Sequence, residues 1–454
     1  MGGIPVKLLG LSVENLYGSY NYEVSFNHDV TFIYGMNGCG KTTILNITEA
    51  IITGQLFKLF SYSFKRIELR YSKKNSGEIQ SISITPIKNQ LNVTFGEMHY
   101  YLDQIDWQER RRVPERERIE AIKRYFDKYP FLEEIANIFN YVYLPLNRTH
   151  TTFVLDENPY YQYRRLSNSD AYDNVYTGSA SVQDSSIVEV EALISRHCSR
   201  INAAVNRIND AFRNEILQSA LSVQADIKTE EFARSLSKNR SIIDELLDTK
   251  HAYLSILDGL RLNSVEKEKY EVFFEDTISE YRKFTAEKVK EIDIFNLYRK
   301  HCEVARIKNI VNIAKEMEER KARVRKPIEL FLDTMNSFIS NSEDGKEIKL
   351  DPMGQVYFMT KHSKQKLSVH NLSSGEKQLL IFFANLIFNV KSDSSGIFVV
   401  DEPELSLHLD WQRIFVEKTM EVNQNIQLIF ATHAPEIIGR HRNKMYKLVK
   451  EYIK

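Results

Sequence analysis

Gly35-Met36-Asn37-Gly38-Cys39-Gly40-Lys41-Thr42, followed by Thr43, is the stretch whose reading decides the fold. It fits G-x-x-x-x-G-K-[ST], and its neighbours agree with it. Val30 to Tyr34 reads as a short buried strand before it, and about 41–52 as a helix after it. The glycines let main-chain N–H groups turn inward around phosphate oxygens, and the helix N-terminus adds its dipole. Lys41 is placed to reach the β- and γ-phosphates of a nucleotide, and the Thr42 hydroxyl to ligate Mg²⁺. Gly35, Asn37, Gly38, Cys39, Gly40, Lys41, Thr42 and Thr43 are therefore the expected nucleotide-contacting set, with ATP and Mg²⁺ as cofactors. The plain alternative is an ordinary glycine-rich turn between a strand and a helix. Cys39 reads as the filler of a small-residue slot, with redox sensitivity as the alternative.

Outward from this loop, segments 65–72, 79–87 and 91–102 read as a meander of strands, with turn signals at Ser76-Gly77 and Gly96. Residues 109–128 alternate in charge sign and read as an exposed helix, and 141–146 as a further strand. Residues 155–186 are rich in Asn, Asp, Ser and Tyr and read as a long, mobile surface loop. Helical signal then dominates. Val190, Ile194, Cys198, Ile201, Val205, Ile208 and Phe212 form one stripe, and Ile310, Ala314, Met317, Val324, Ile328, Phe331, Met335 and Phe338 another. Such stripes fit helices packed within an inserted domain, or else a protruding antiparallel coiled coil. Strand character returns at 347–360. An apolar helix is expected over about 376–389, and 397–400 and 426–430 read as short buried strands. The expected plan is an α/β domain split by a helical insertion: an N-terminal lobe over 1–154, loop and insertion over 155–325, and a C-terminal lobe over 326–454.

The 454 residues are 43% hydrophobic, enough to bury a sizeable core. Lys plus Arg number 61 and Asp plus Glu also 61, a balance that argues against binding nucleic acid by bulk charge alone. Three distant cysteines, Cys39, Cys198 and Cys302, lack metal-ligand spacing and fit a reducing cytoplasm. The N-terminal apolar run is too short for a signal peptide. The longest apolar stretch, 379–390, falls short of the roughly 20 residues that span a bilayer, so no membrane partner is expected.

Three further motifs follow in order. Ile397-Phe398-Val399-Val400-Asp401-Glu402 is a buried strand ending in two carboxylates. Asp401 suits a hold on Mg²⁺, and Glu402 the polarisation of an attacking water. Asn371-Leu372-Ser373-Ser374-Gly375-Glu376-Lys377-Gln378 opens the apolar helix and offers a hydroxyl and free N–H groups to an anion, although a plain N-cap explains it as well. Ala431-Thr432-His433-Ala434-Pro435-Glu436 places a histidine after a strand, where it can meet a phosphate and its attacking water; an ordinary surface or core histidine is the alternative. Each motif lies at a strand C-terminus or a helix N-terminus, where open α/β sheets bind ligands.

With these residues in this order the sequence resembles the ABC/SMC-type P-loop ATPases, whose heads are mixed sheets flanked by helices. The resemblance implies that Leu372 to Glu376 are the signature motif. Ser373, Ser374, Gly375 and Glu376 would then close over the ATP of a second copy. Glu402 would be the catalytic glutamate, His433 the switch histidine, and Ser406-Leu407-His408 the loop linking two active sites. The form Asp401-Glu402-Pro403-Glu404-Leu405-Ser406-Leu407-His408 is most similar to the OLD-like branch, which includes ATPase subunits of antiphage systems such as PARIS, Septu and AbiL, and retron-linked ATPases. The resemblance covers about the first 150 and last 120 residues by motif. OLD nucleases carry a Toprim domain after the ATPase, and this chain shows none after His433. It also lacks the Cys-x-x-Cys hook of long-armed repair ATPases. The Q-loop glutamine has several candidates: Gln104, Gln108 and the strand end at Asn147-Arg148.

The resemblance implies a homodimer or higher homo-oligomer that holds or licenses a separate effector, a Toprim-like or HNH nuclease, on a DNA or phage-derived trigger. The alternatives are a RecF- or SMC-like DNA-binding ATPase and a nucleotide-binding scaffold with little turnover. Basic clusters at 110–112 and at Arg440, Arg442, Lys444, Lys447, Lys450 and Lys454 favour the DNA reading, against a solvated basic face. A transporter ATPase fits least, given the large insertion.

Overall fold

The computed structural model of the chain describes residues 6–73, 78–104, 115–139, 182–221, 232, 239–259, 264–285, 294–340, 345–388, 396–405 and 407–452. They form two compact units, one of Met1–His197 with Pro327–Lys454, the other of Cys198–Lys326. The first unit holds the sheets. β3 (Val30–Tyr34), β11 (Ile397–Asp401), β12 (Gln427–Ala431) and β13 (Met445–Lys447) form a parallel sheet in the order β11-β12-β3-β13. Their near-continuous apolar runs are what a sheet covered on both faces requires: Val30, Phe32, Ile33, Phe398, Leu428, Ile429 and Phe430 are all fully buried.

A second, antiparallel sheet has the order β14-β2-β1-β4-β5-β6-β7, built from β1 (Val6–Leu16), β2 (Tyr20–Ser25), β4 (Arg66–Lys73), β5 (Ile79–Ile87), β6 (Gln90–Phe95), β7 (Met98–Asp103) and β14 (Glu451–Tyr452). The expected segment 91–102 is thus a hairpin, turning at Gly96 with φ +63°. β8 (Glu347–Leu350), β9 (Val356–Thr360) and β10 (Ser363–Ser368) make a third, antiparallel sheet. The α/β head is as expected, with parallel and antiparallel strands sorted into separate sheets.

One buried amide ties the two large sheets together. Gln427, fully buried at the start of β12, accepts from the Leu8 main-chain N–H at 2.8 Å. It donates to Leu8 O at 2.8 Å and to Asn27 O at 2.7 Å. A polar side chain at zero exposure is tolerable only because its hydrogen bonds are made.

Helix α1 (Lys41–Ile52) buries Ile44, Leu45, Ile47, Thr48, Ile51 and Ile52, a stripe of helical period facing the core. Helices α2 (Glu115–Lys128) and α3 (Phe131–Phe139) follow β7. Helix α4 (Val182–Leu221) begins inside the stretch expected as loop, and its residues up to His197 belong to the first unit. There Val190 and Ile194 are buried, and the His197 ring lies 5.1 Å from that of Phe388. The helical unit thus begins at Cys198, within the segment 155–325 expected as loop plus insertion. The far border falls at Lys326 and Pro327, inside the 46-residue helix α7 (Ile294–Ile339).

The second unit packs α5 (Asn239–Gly259), α6 (Ser264–Thr285) and part of α7 around Leu246, Tyr253, Leu254, Phe274, Ile278, Tyr281, Leu297 and Ile307. Lys300, nearly buried, is neutralised by Asp276 and by Glu280 at 2.7 Å. In the first unit, α8 (Ser374–Phe388) and α9 (Leu409–Val422) complete the core, with the Phe382 and Phe415 rings 4.7 Å apart. The expected strand at 141–146 and most of the expected loop at 155–186 lie outside the described residues. No described helix is long and apolar enough to cross a membrane.

Candidate nucleotide site

Strand register gathers the site. Asp401 of β11 pairs with Ala431 of β12, and Ala431 with Ile33 of β3. The three strands therefore end at one level. The residues just beyond them, Glu402, Thr432–His433 and the loop from Gly35, emerge side by side.

The glycine-rich loop is shaped by its own main chain. Gly38 and Gly40 have φ +75° and +103°, values open to glycine and strained for other residues. The Cys39 N–H donates to Met36 O at 3.1 Å, closing the turn. Tyr22 of β2 supports it from below, donating its hydroxyl to Cys39 O at 3.0 Å, and a side chain on Gly40 would meet that hydroxyl at 2.7 Å. Lys41 is buried at the start of α1. Its Nζ donates to Gly35 O at 3.1 Å and lies 2.5 Å from His433 Nε2, so that nitrogen is the acceptor. The loop, Lys41 and His433 are thus brought together.

Thr42 donates its hydroxyl to Asp401 Oδ2 at 2.8 Å, while Asp401 Oδ1 is buried with no hydrogen-bond partner among the described residues. Burial pushes the Asp401 carboxyl above the usual carboxylate range, the nearby Glu404 adds to this, and Thr42, Lys41 and His433 act against it. A hydroxyl and a carboxylate converging on one point, with one carboxylate oxygen unsatisfied, fit a hard divalent cation such as Mg²⁺.

Glu402 follows Asp401 with φ +50° and precedes Pro403. A non-glycine residue in the left-handed region before proline is strained, and here hydrogen bonds hold it: Glu402 N–H to Ala431 O at 2.8 Å, and Leu405 N–H to Glu402 O at 3.1 Å. Among the described residues the Glu402 carboxylate has no hydrogen bond or ion pair. Glu404, two residues on, accepts the His433 main-chain N–H at 2.8 Å.

The signature residues are arranged differently. Ser373 is exposed at the N-terminus of α8 and forms a capping box. Its N–H donates to Glu376 Oε2 at 2.7 Å, and its hydroxyl accepts from the Glu376 N–H at 3.4 Å. Glu376 is buried, with both carboxylate oxygens 3.1 Å from Lys346 Nζ. Glu376, expected with Ser373, Ser374 and Gly375 in the set that closes over the ATP of a second copy, turns its carboxylate inward, where an ion pair and a main-chain donor compensate its burial. Ser373, with Ser374 and Gly375 beside it, opens the helix, but neither Ser373 nor Glu376 bonds to the glycine-rich loop within the chain.

Gln104 follows β7, the outer strand of the larger antiparallel sheet, with its N–H on Asn89 O. Ser406, Gln108, Asn147, Arg148, Arg110 to Arg112 and Lys454 lie outside the described residues. Sequence reasoning missed Tyr22, Lys346 and Glu404. Only Glu404 had a signal, its place in the quoted acidic motif.

The AAA ATPase domain family matches residues 7–438. The chain belongs to that family. This AAA-type ATPase is 25% identical over 143 residues to the Retron Vc95 probable ATPase of Vibrio cholerae serotype O1 biovar El Tor, covering 30% of this chain and 27% of that protein. It is 36% identical over 80 residues to the Retron Ec83 probable ATPase of Escherichia coli, covering 16% and 15%. The aligned part thus spans about a quarter or less of these relatives. Among solved structures, an SMC head bound to the C-winged helix domain of ScpA superposes with a TM-score of 0.40 and 11% identity, covering 98% of this chain and 97% of that one. The recombination mediator RecF gives 0.34 and 11%, covering 96% and 95%.

Proposed function

We propose that this ATPase hydrolyses ATP as a subunit of an antiphage defence complex, in which an ATP-dependent homo-oligomer holds or licenses a separate effector, a nuclease of Toprim-like or HNH type. The observation that carries the hydrolytic part is the convergence of Lys41, His433, Thr42 and Asp401 at the ends of three in-register strands. Lys41 and the loop N–H groups neutralise the phosphates, and Glu402, whose carboxylate has no partner among the described residues, polarises the attacking water while His433 flanks the γ-phosphate. Mg²⁺ on Thr42 and Asp401 would offset charge on the phosphate oxygens. The outward-facing Ser373 supports closure by a second copy, since its hydroxyl meets no loop residue of its own chain. The retron-named relatives support the defence setting.

Turnover of purified protein tests the reading. Glu402→Gln is expected to keep ATP binding and lose roughly 10²–10⁴-fold in rate. Lys41→Ala is expected to lose tight nucleotide binding. Wild-type turnover in Glu402→Gln would refute the role given to that carboxylate. Co-purification with the product of the adjacent gene tests the effector. A neighbour that neither binds nor is toxic on release would remove the defence reading.

A RecF- or SMC-like DNA-binding ATPase is favoured by one observation. Arg442 and Lys447 have no ion-pair partner among the described residues, and they line a cavity of ≈ 480 Å³ together with Gly35, Met36 and His433. ATP-dependent binding to duplex DNA that weakens steeply with salt would support it, and no affinity at low salt would exclude it.

A further inference from the structure

We propose that Glu404 is a positioning residue for hydrolysis, holding His433 in place through its main-chain N–H. This rests on the hydrolytic reading above. Glu404 Oε1 accepts from His433 N at 2.8 Å, and that nitrogen belongs to the residue whose Nε2 meets Lys41. The other carboxylate oxygen, Oε2, is buried with no hydrogen-bond partner among the described residues, as is Oδ1 of Asp401.

The loop that carries Glu404 is fixed at both ends. Leu405 N–H bonds to Glu402 O at 3.1 Å, Leu407 N–H to Glu404 O at 3.1 Å, and the Gln412 side chain also donates to Glu404 O at 3.4 Å. Glu402, in its left-handed conformation, and Glu404 therefore ride on one turn. Any shift of that turn moves the Glu402 carboxylate and, through Glu404, the His433 imidazole. The water-polarising group and the phosphate-flanking group are adjusted as a pair.

The test compares Glu404→Gln with Glu404→Ala in the full chain. The amide oxygen of glutamine still accepts the His433 N–H, whereas alanine cannot. Steady-state hydrolysis, affinity for a fluorescent ATP analogue with Mg²⁺, and thermal melting are measured for each. Glu404→Ala is expected to lose up to ~10²-fold in kcat, the effect of a misplaced catalytic group, with KM and analogue affinity within about 3-fold of wild type. Glu404→Gln is expected to recover to within about 5-fold, and Glu404→Ala to add less than about 2-fold on a His433→Ala background. A Glu404→Gln rate more than about 10-fold down, or effects of Glu404→Ala and His433→Ala that multiply, would overturn the proposal. The glutamine outcome decides even if the alanine variant does not fold. A wild-type chain without turnover defeats the hydrolytic reading and this one with it. Normal turnover in Glu404→Ala beside an inactive Glu402→Gln defeats this one alone.

Discussion

Replacing Glu376 by alanine removes two interactions at once. The first is the acceptor for the Ser373 N–H at 2.7 Å, half of the capping box on α8. Loss of such a cap costs about 0.5–2 kcal/mol. The second is the pair with Lys346, whose side chain is only 17% exposed against 4% for Glu376. Stripping one partner from a fully buried pair costs about 3–5 kcal/mol; Lys346 keeps a path to water, so about 1–2 kcal/mol applies here. The expected destabilisation of the first unit is about 1.5–4 kcal/mol. Glu376→Gln, which still accepts the Ser373 N–H, should lose about half as much, and Lys346→Met should partly rescue it by removing the stranded charge. Urea unfolding followed by tryptophan fluorescence measures all three, alongside ATP affinity. If Glu376→Ala unfolds within about 0.5 kcal/mol of wild type while nucleotide affinity collapses, the inward-facing role of this carboxylate is wrong.

Gly40→Ala forces a side chain onto φ +103° and against the Tyr22 hydroxyl, a strain of about 1–3 kcal/mol concentrated in the phosphate loop. Fluorescent-nucleotide titration should show weakened binding, and unchanged affinity would contradict the loop geometry. Gln427→Leu strands the Leu8 N–H and the Leu8 and Asn27 carbonyls, for a loss of at least about 3 kcal/mol in urea unfolding. A neutral outcome would mean the two sheets are not tied there. Asp29 is partly buried, which works upward on its carboxyl, but the ion pair with Lys444 and the Val30 N–H prevail and hold it below the usual value. Its stabilisation is thus present above the ordinary carboxylate pKa and lost as pH falls through the lower folded value. The stability gap between wild type and Asp29→Asn should therefore shrink from about pH 5 to about pH 2, and a constant gap would refute the assignment.

The parallel core and its loop were legible in sequence because both are local patterns. Apolar runs mark strands buried on two faces, and glycine spacing marks the phosphate turn. The inward turn of the Glu376 carboxylate was legible in part, because Ser373-Ser374-Gly375-Glu376 has the capping-box spacing, but its partner Lys346 was not. Tyr22 and Lys346 could not be read because each acts on a residue distant in the chain and nothing in its own neighbourhood reports it; Glu404 stood in the quoted acidic motif, but its partner His433 did not. Gln427 was the exception in principle: a lone amide in the otherwise apolar run 426–430 must find partners, but the sequence does not say which. The sorting of strands into a parallel and an antiparallel sheet depended on the same long-range pairing.

The strand order β11-β12-β3-β13 has a consequence for biosynthesis. β3 pairs on one side with β12 and on the other with β13, and both are made long after it. While the ribosome works through the helical unit, a strand carrying Val30, Phe32 and Ile33 waits with both edges unpaired and its phosphate loop without Asp401 or His433. Nascent chains of this design carry an aggregation-prone segment until residues 427–447 emerge, and shortening the gene before that point leaves the segment permanently without neighbours.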